Sequence, residues 1–225
     1  ALDRLLEGVV PVADTVVVRL HEALGRVASE DIHSGIDVPP APNSAMDGYA
    51  FCHGDIGTTS GVMRVSARIA AGSEASPLVP GTLARIFTGA PMPRGADTVV
   101  MQEDTISQGD GIKIRELPPV GDNVRPAGQD IAAGDCVVSK GRRLSPSDLG
   151  LVASVGKSEI RVQRVMSIAV MSTGDELVEP PALLKPGQIY NSSHYAITGL
   201  LRRDGFNVVD LGLVEDSPGA TVKAL

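Results

Sequence analysis

Tryptophan is absent from this sequence, and phenylalanine and tyrosine supply only three residues each. Its core must therefore be built from Val, Leu, Ile, Ala and Met. Cysteine occurs twice, as Cys52 and Cys136, without C-x-x-C spacing and without a histidine pair at zinc-ligand spacing. That excludes a disulfide scaffold and a zinc ribbon, and it favours two thiols over one bridge. No apolar run approaches the roughly 18 residues of a membrane-spanning helix. Neither a G-x-G-x-x-G nor a Walker A run occurs. Basic residues are the minority, with 20 Lys plus Arg against 27 Asp plus Glu and a net charge of −7. This is the wrong sign for a general binder of nucleic acid or of anionic membranes. The opening residues, Ala1-Leu2-Asp3-Arg4-Leu5-Leu6-Glu7, lack the layout of a signal peptide. These absences together suggest a cytoplasmic protein with neither a nucleic-acid nor a membrane partner.

What is present is enough for a globular fold. The 225 residues are 43% apolar and 21% charged, sufficient for one large domain or two to three small ones. A chain of this size buries roughly 70% of its extended surface and needs no staple. Leu2, Leu5, Leu6, Val9 and Val10 fit a short amphipathic helix, and Thr15 to Leu20 reads as a strand. Val38-Pro39-Pro40-Ala41-Pro42 cannot hold regular structure, because proline fixes φ and removes a donor. A domain crossing belongs there. From Met46 to about Val138 short β-rich pieces alternate with Gly, Pro, Asn and Asp turns, as in a small barrel or sandwich.

Ser145-Pro146-Ser147-Asp148 then carries the signals of a helix start, with Leu149, Val152 and Ala153 as its inner face and Gly156 as its stop. The apolar run Val165–Met171 reads as a strand buried on both faces. Ser192 to Asp204 is a helix with Ile197, Leu200 and Leu201 on one side, and Phe206–Leu211 is the next strand. Strand, crossover helix and strand make a βαβ unit. A further helix begins near Asp216-Ser217-Pro218, so the chain is expected to end inside an α/β domain.

Four segments can carry chemistry. Asn43-Ser44-Ala45-Met46-Asp47-Gly48 puts one carboxylate in a turn just after the prolines, or simply starts a strand. Ile86-Phe87-Thr88-Gly89-Ala90-Pro91 runs a strand into a loop where Thr88 and backbone N–H groups can meet an oxyanion. Val124-Arg125-Pro126-Ala127-Gly128-Gln129-Asp130 sets an Arg and an Asp five residues apart. Arg forks onto oxyanions and Asp holds a metal or a water, but the two also make an ordinary surface ion pair. Ser172-Thr173-Gly174-Asp175-Glu176 follows a buried parallel strand at its carboxyl end, where open α/β sheets bind ligands. Its hydroxyls suit phosphate. Its two carboxylates repel phosphate unless a divalent cation intervenes, so the motif asks for a metal or for a neutral polar group such as a pterin. The histidines His21, His33, His53 and His194 show no ligand spacing and read as structural or surface residues. No motif supports Ser/His/Asp catalysis.

Taken together, these segments resemble the MoeA and gephyrin E-domain family of molybdopterin molybdenumtransferases. The resemblance is carried by Pro42-Asn43-Ser44-Ala45-Met46-Asp47-Gly48-Tyr49-Ala50, Ile86-Phe87-Thr88-Gly89-Ala90-Pro91 and Ala96-Asp97-Thr98-Val99-Val100-Met101-Gln102-Glu103. It continues in Gly128-Gln129-Asp130-Ile131, Ser172-Thr173-Gly174-Asp175-Glu176-Leu177 and Gly187-Gln188-Ile189-Tyr190-Asn191-Ser192, in family order across nearly the whole chain. Gln129 stands where the family pattern suggests Glu.

The resemblance implies a multidomain α+β and α/β fold. A mixed helix/strand linker and dimerisation domain would take residues 1–38 and 139–164. A small β-barrel-like domain would take 39–138, and the first part of a three-layer molybdopterin-binding α/β domain 165–225. It implies the last step of molybdenum cofactor synthesis, the Mg²⁺-dependent insertion of molybdate into adenylylated molybdopterin with release of AMP. Asp47, Thr88, Asp130 and Glu176 match functional positions, and Asp47, Asp130 and Glu176 would hold Mg²⁺. Ser172, Thr173, Gly174 and Asn191 would contact the cofactor precursor. Arg125, on its charge and not on the resemblance, is expected to neutralise molybdate. The resemblance further implies a homodimer with the site between domains of opposite subunits, and partners such as a molybdopterin adenylyltransferase or molybdoenzymes. A chain lacking the family's later half should be inactive alone. A non-catalytic scaffold and a tungstate-handling homologue remain as alternative readings.

Overall fold

The computed structural model describes residues 4, 7–10, 12–56 and 61–224. Of the helix expected over residues 1–10, residues 1–3, 5 and 6 lie outside them, and residues 7–10 are turn and irregular chain rather than helix. Early strands are β1 (Thr15–Arg19), β2 (Ile32–His33), β3 (Asn43–Ser44), β4 (Gly48–Phe51), β5 (Val62–Ile69) and β6 (Leu83–Ile86). Then come β7 (Thr98–Met101), β8 (Thr105–Gln108), β9 (Gly111–Ile114), β10 (Val124–Arg125) and β11 (Cys136–Val138). Helix α1 (Pro146–Ser154), β12 (Glu159–Gln163), β13 (Ser167–Thr173), β14 (Leu177–Val178) and β15 (Ile189–Tyr190) follow. The described chain closes with α2 (Ser192–Arg203), β16 (Asn207–Val214) and α3 (Pro218–Ala224). The architecture is mixed α/β, and among the described residues the helices are few and none is long and apolar enough to cross a membrane.

The chain divides into two units. The first takes residues 1–31, 138–153 and 157–225, and the second 32–137 and 154–156. The second is built on a six-stranded sheet in the order β7-β4-β6-β5-β9-β8, whose one parallel pair is β5 with β6. Among the described residues it is an open, mixed sheet rather than a closed barrel.

Both faces of this sheet are covered. Ala50, Ala84, Ile86 and Val99 pack with Ile69, Leu78 and Ala90 on one side. Their chain neighbours Phe51, Leu83 and Val100 pack with Ile112 and Ile114 on the other. Successive strand residues point to opposite faces, so burial of both neighbours yields apolar runs instead of alternation. β4 and β7 lie so close that a Cβ on Gly48 would fall 1.9 Å from the Val100 carbonyl oxygen. Only glycine fits there, and Asp47 beside it is thereby fixed at the strand's start.

In the first unit β1 pairs antiparallel with β12, and β13 pairs parallel with β16. Helix α1 begins as its sequence indicates. Asp148 Oδ2 accepts from Ser145 N–H at 2.8 Å and from its hydroxyl at 2.6 Å, while Arg142 Nε donates to Oδ1 at 2.8 Å. Gly156 follows the helix at φ 78°. Three expectations need correction. Ala153 is exposed, and the inner side of α1 is instead formed by Val152 with Asp148. On β13 only Val170 is buried, because the sheet described here has two strands and cannot cover both faces. On α2, Ile197 and Leu200 are exposed and His194 and Thr198 are buried.

Asp148 couples this unit to pH. The Ser145 hydroxyl, then its N–H and the Arg142 guanidinium, hold the carboxyl at about 2 against an ordinary 3.8. A depressed folded-state value stabilises the fold above pH 3.8, and that contribution is lost as pH falls through about 2. Asp148→Ala should cost about 1–2 kcal/mol at pH 7 in urea unfolding. The gap to wild type should close as the pH is lowered through this window. A gap that stays constant would show that the carboxylate charge does not contribute.

Candidate functional site

Ser44 organises the acidic loops of the second unit. It is fully buried on β3, a strand too short to persist alone. Its carbonyl accepts from Gly89 N–H at 2.8 Å, and its own N–H donates to the Ala90 carbonyl at 3.0 Å. Across the other edge β3 pairs with β10, Ser44 opposite Val124 and Asn43 opposite Arg125. Ala45 N–H donates to Asn123 O at 2.9 Å. Asn123 takes φ 58°, a left-handed conformation that Asn tolerates better than most residues, and its amide donates to Val99 O at 3.0 Å. The Ser44 hydroxyl donates to Met46 O at 2.6 Å and shapes the turn that presents Asp47. Ser44 thus joins the Asp47 turn to the Thr88 loop, and its neighbour Ala45 ties both to the segment that leads into the Arg125 strand.

The half-buried Asp47 is gripped on one oxygen. Oδ1 accepts from both the N–H and the hydroxyl of Thr88, each at 2.8 Å. These bonds, the backbone one foremost, hold the carboxyl below its ordinary value, and Arg85 adds charge in the same sense against the opposing effect of burial. Arg85 is itself locked. It donates to Gly48 O at 2.9 Å and lies over Tyr49 and Phe87 with its guanidinium carbon 5.2 and 4.6 Å from the ring centroids. Arg68 also lies over Phe87, at 4.7 Å. Thr88 was expected to donate to an oxyanion. Its single proton goes to Asp47, so only its oxygen lone pairs remain for a ligand.

Asp130 and Arg125 form the ion pair that their spacing allowed, with both side chains solvent-accessible. Arg125 Nε also approaches Gln129 Oε1 at 3.4 Å. Gln at this position therefore drops a charge but keeps an acceptor for the same arginine. Asp130 is anchored through its N–H to Val38 O at 2.9 Å. Asn43 Oδ1, opposite Arg125 in the β3–β10 register, is buried with no donor among the described residues.

The first unit holds the other expected residues. Ser172 and Thr173 end β13, and Gly174 turns the chain at φ 151°. A Cβ on Gly174 would lie 2.7 Å from Glu176 Oε2, so glycine lets the Glu176 carboxylate fold over the turn. Glu176 O accepts from Ile189 N–H at 2.8 Å. Asn191 is buried and donates its amide to Glu179 Oε1 at 2.8 Å, which commits it to the scaffold. Sequence spacing gave no sign of one grouping: Ser172 Oγ lies 3.2 Å from His194 Nδ1, and His194 Nε2 lies 2.8 Å from Asp210 Oδ1. A cavity of about 420 Å³ in this unit is lined by Arg26, Arg143, Met166 and Phe206 among others. It lies where β13 and β16 begin, opposite the strand ends that carry the 172–176 loop.

The fold and the acidic loops define a class: a β-rich unit with carboxylates held ready in its turns, joined to a βαβ element with an acidic loop at its strand ends. The chain belongs to the MoeA family. The family described as "MoeA N-terminal region (domain I and II)" matches residues 1–156, and the "Probable molybdopterin binding domain" family matches residues 169–225. Among relatives, a molybdopterin molybdenumtransferase of Haemophilus influenzae is 39% identical over 226 residues, covering 100% of this chain and 56% of that protein. A protein of the same name from a Nostoc species is 38% identical over 92% of this chain and 49% of its own length. Two crystal structures of molybdopterin biosynthesis MoeA proteins from Pyrococcus horikoshii align with TM-scores of 0.91 and 0.85, at 29% and 33% identity. They are matched by 100% and 98% of this chain, which covers 61% and 58% of theirs. The chain thus spans about half the length of the curated relatives it matches.

Ser44→Ala tests the role given to this buried serine. It leaves the Met46 carbonyl without its donor and should cost about 1–3 kcal/mol in urea unfolding. Gln129→Ala, at an exposed position, should cost less than about 0.5 kcal/mol. Equal effects would contradict the central place of Ser44.

Proposed function

We propose that the protein carrying this chain is a molybdopterin molybdenumtransferase, which inserts molybdate into adenylylated molybdopterin and releases AMP in molybdenum cofactor biosynthesis. The names of its relatives support the activity. The observation that carries the reading is the Asp47–Thr88 pair, a carboxylate kept ionised and oriented by bonds that leave Oδ2 unbonded among the described residues. The reading keeps the three-part division into 1–38 with 139–164, 39–138, and 165–225, and it includes a homodimer in the cytoplasm. It extends to partners that supply the adenylylated precursor or receive the finished cofactor.

Asp47 and Asp130 of the second unit and Glu176 of the first are the carboxylates proposed to hold Mg²⁺. The donor chemistry fits, since all are oxygen ligands and magnesium is commonly bound by one or two carboxylates plus substrate phosphates. Asp47 belongs to no group of three acid, histidine or cysteine ligand atoms mutually within 4.8 Å among the described residues, so substrate and water oxygens would complete its share. When bound, the metal supplies neutralisation of the phosphoanhydride charge as AMP departs.

This chain's own residues do the rest. Thr88 holds Asp47 ionised. Arg125 shares its guanidinium between Asp130 and Gln129 and is the cation proposed to meet the molybdate oxyanion. Gly174 lets Glu176 close over the backbone of its own loop. The Ser172-Thr173-Gly174 turn, with Asn191 setting the segment behind it, is proposed to contact the pterin end of the substrate.

The test is AMP release by the full-length protein given adenylylated molybdopterin, molybdate and Mg²⁺. Asp47→Asn and Glu176→Gln preserve shape and should lower turnover about 100-fold. Their thermal midpoints should stay within a few degrees of wild type. Absence of AMP release by the wild-type protein would contradict the enzyme reading and favour a scaffold. Tungstate in place of molybdate distinguishes a homologue that handles tungsten.

A further inference from the structure

Helix α2 turns a polar side toward the sheet. His194, 5% exposed, is held between Ser172 on β13 and Asp210 on β16. A bulge in β16 arranges this. Val170 pairs with Asp210 but Met171 pairs with Gly212, so the chain kinks after Asp210, and Asp210 Oδ1 accepts the Gly212 N–H at 2.9 Å. That backbone bond leads the effects that keep the Asp210 carboxyl below its ordinary value, with the hydrogen bond from His194 and the charge of Arg202 acting in the same direction and burial against it. An ionised carboxylate can only accept, so His194 Nε2 carries the proton of the contact. In a neutral imidazole the other nitrogen is then bare, and Nδ1 accepts the Ser172 hydroxyl proton. The remaining charged or titratable groups of the same cleft are Glu179, Tyr195 and Arg202. Glu179 is engaged by Asn191 and by the Tyr195 hydroxyl at 2.8 and 2.9 Å, so it does not compete for the imidazole.

We infer that His194 is a positioning residue that consumes the Ser172 proton and turns Ser172 into a hydrogen-bond acceptor toward the ligand of the 172–176 loop. This inference rests on the reading of that loop as a ligand contact. It deepens that reading by assigning the chemistry: Ser172 selects a ring N–H, an amine or a sugar hydroxyl and discriminates against a phosphate oxygen.

¹⁵N-histidine labelling of the full-length protein reads the tautomers of its imidazoles, and His194→Gln assigns the one in question. At a pH where His194 is neutral, its spectrum should show Nε2 protonated and Nδ1 bare, and Asp210→Asn should weaken that preference. A protonated Nδ1, or the free mixture of tautomers, overturns the inference. Two probes then test selectivity by calorimetry, a neutral 2-amino-4-oxopteridine and inorganic pyrophosphate. Ser172→Ala should weaken pteridine binding about fivefold, the worth of one hydrogen bond, and leave pyrophosphate binding unchanged. The reverse order overturns the acceptor assignment. If neither probe binds while the Nε2–H tautomer is seen, the loop's role as a ligand contact and the selectivity fall, and His194 stands only as the residue orienting Ser172.

Discussion

The second unit depends on one buried serine bonded on every side. Ser44 has its carbonyl, its N–H and its hydroxyl all committed to chain segments that carry candidate groups. Burying a polar residue is costly unless each group finds a partner, and here the partners are the functional loops themselves. The Thr88 loop is therefore placed by backbone bonds to Ser44, the Asp47 turn by the Ser44 hydroxyl, and the Arg125 strand by the backbone pairing of β3 with β10. The covered sheet behind them supplies the rigidity. Its two packed faces leave β4 no room to shift, and the close pass of Gly48 over Val100 sets where the Asp47 turn begins.

A second theme is the commitment of hydroxyl protons. Thr88 gives its proton to Asp47, and Ser172 lies within bonding distance of an imidazole aligned by Asp210. In both units a hydroxyl expected to serve as a donor is turned into an acceptor by a neighbouring base. The effect on each base differs. Asp47 is held ionised, as suits a carboxylate proposed to face a cation. His194 is fixed in orientation between a hydroxyl and a carboxylate, as suits a group that acts through its neighbour.

Much of this was legible in the sequence where the signal is local. The helix start at Ser145-Pro146-Ser147-Asp148 follows from capping chemistry within four residues, and the structure shows the bonds it implies. The parallel pairing of β13 with β16 follows from a strand–helix–strand pattern. The short strands between Met46 and Val138 follow from apolar pieces set between turn residues. The acidic loops were found as motifs, but that Asp47 and Thr88 touch across 41 residues is a consequence of sheet pairing that no local pattern contains. The inner face of α2 was misjudged because apolar periodicity favoured Ile197 and Leu200, whereas a satisfied polar group, His194, took the buried place. Its partners come from a strand end and from a β-bulge, and a bulge leaves no periodic trace.

The ionised state of Asp47 is the property on which the proposed site most directly depends. Titration of its carboxyl carbon by ¹³C NMR, in wild type and in Thr88→Val, isolates the contribution of the hydroxyl. The wild-type midpoint should lie below that of an ordinary aspartate, and loss of the hydroxyl should move it upward while the Thr88 N–H bond keeps it from returning fully. A wild-type midpoint at or above the ordinary value, or one that Thr88→Val leaves unmoved, would contradict a carboxylate held ionised by its loop.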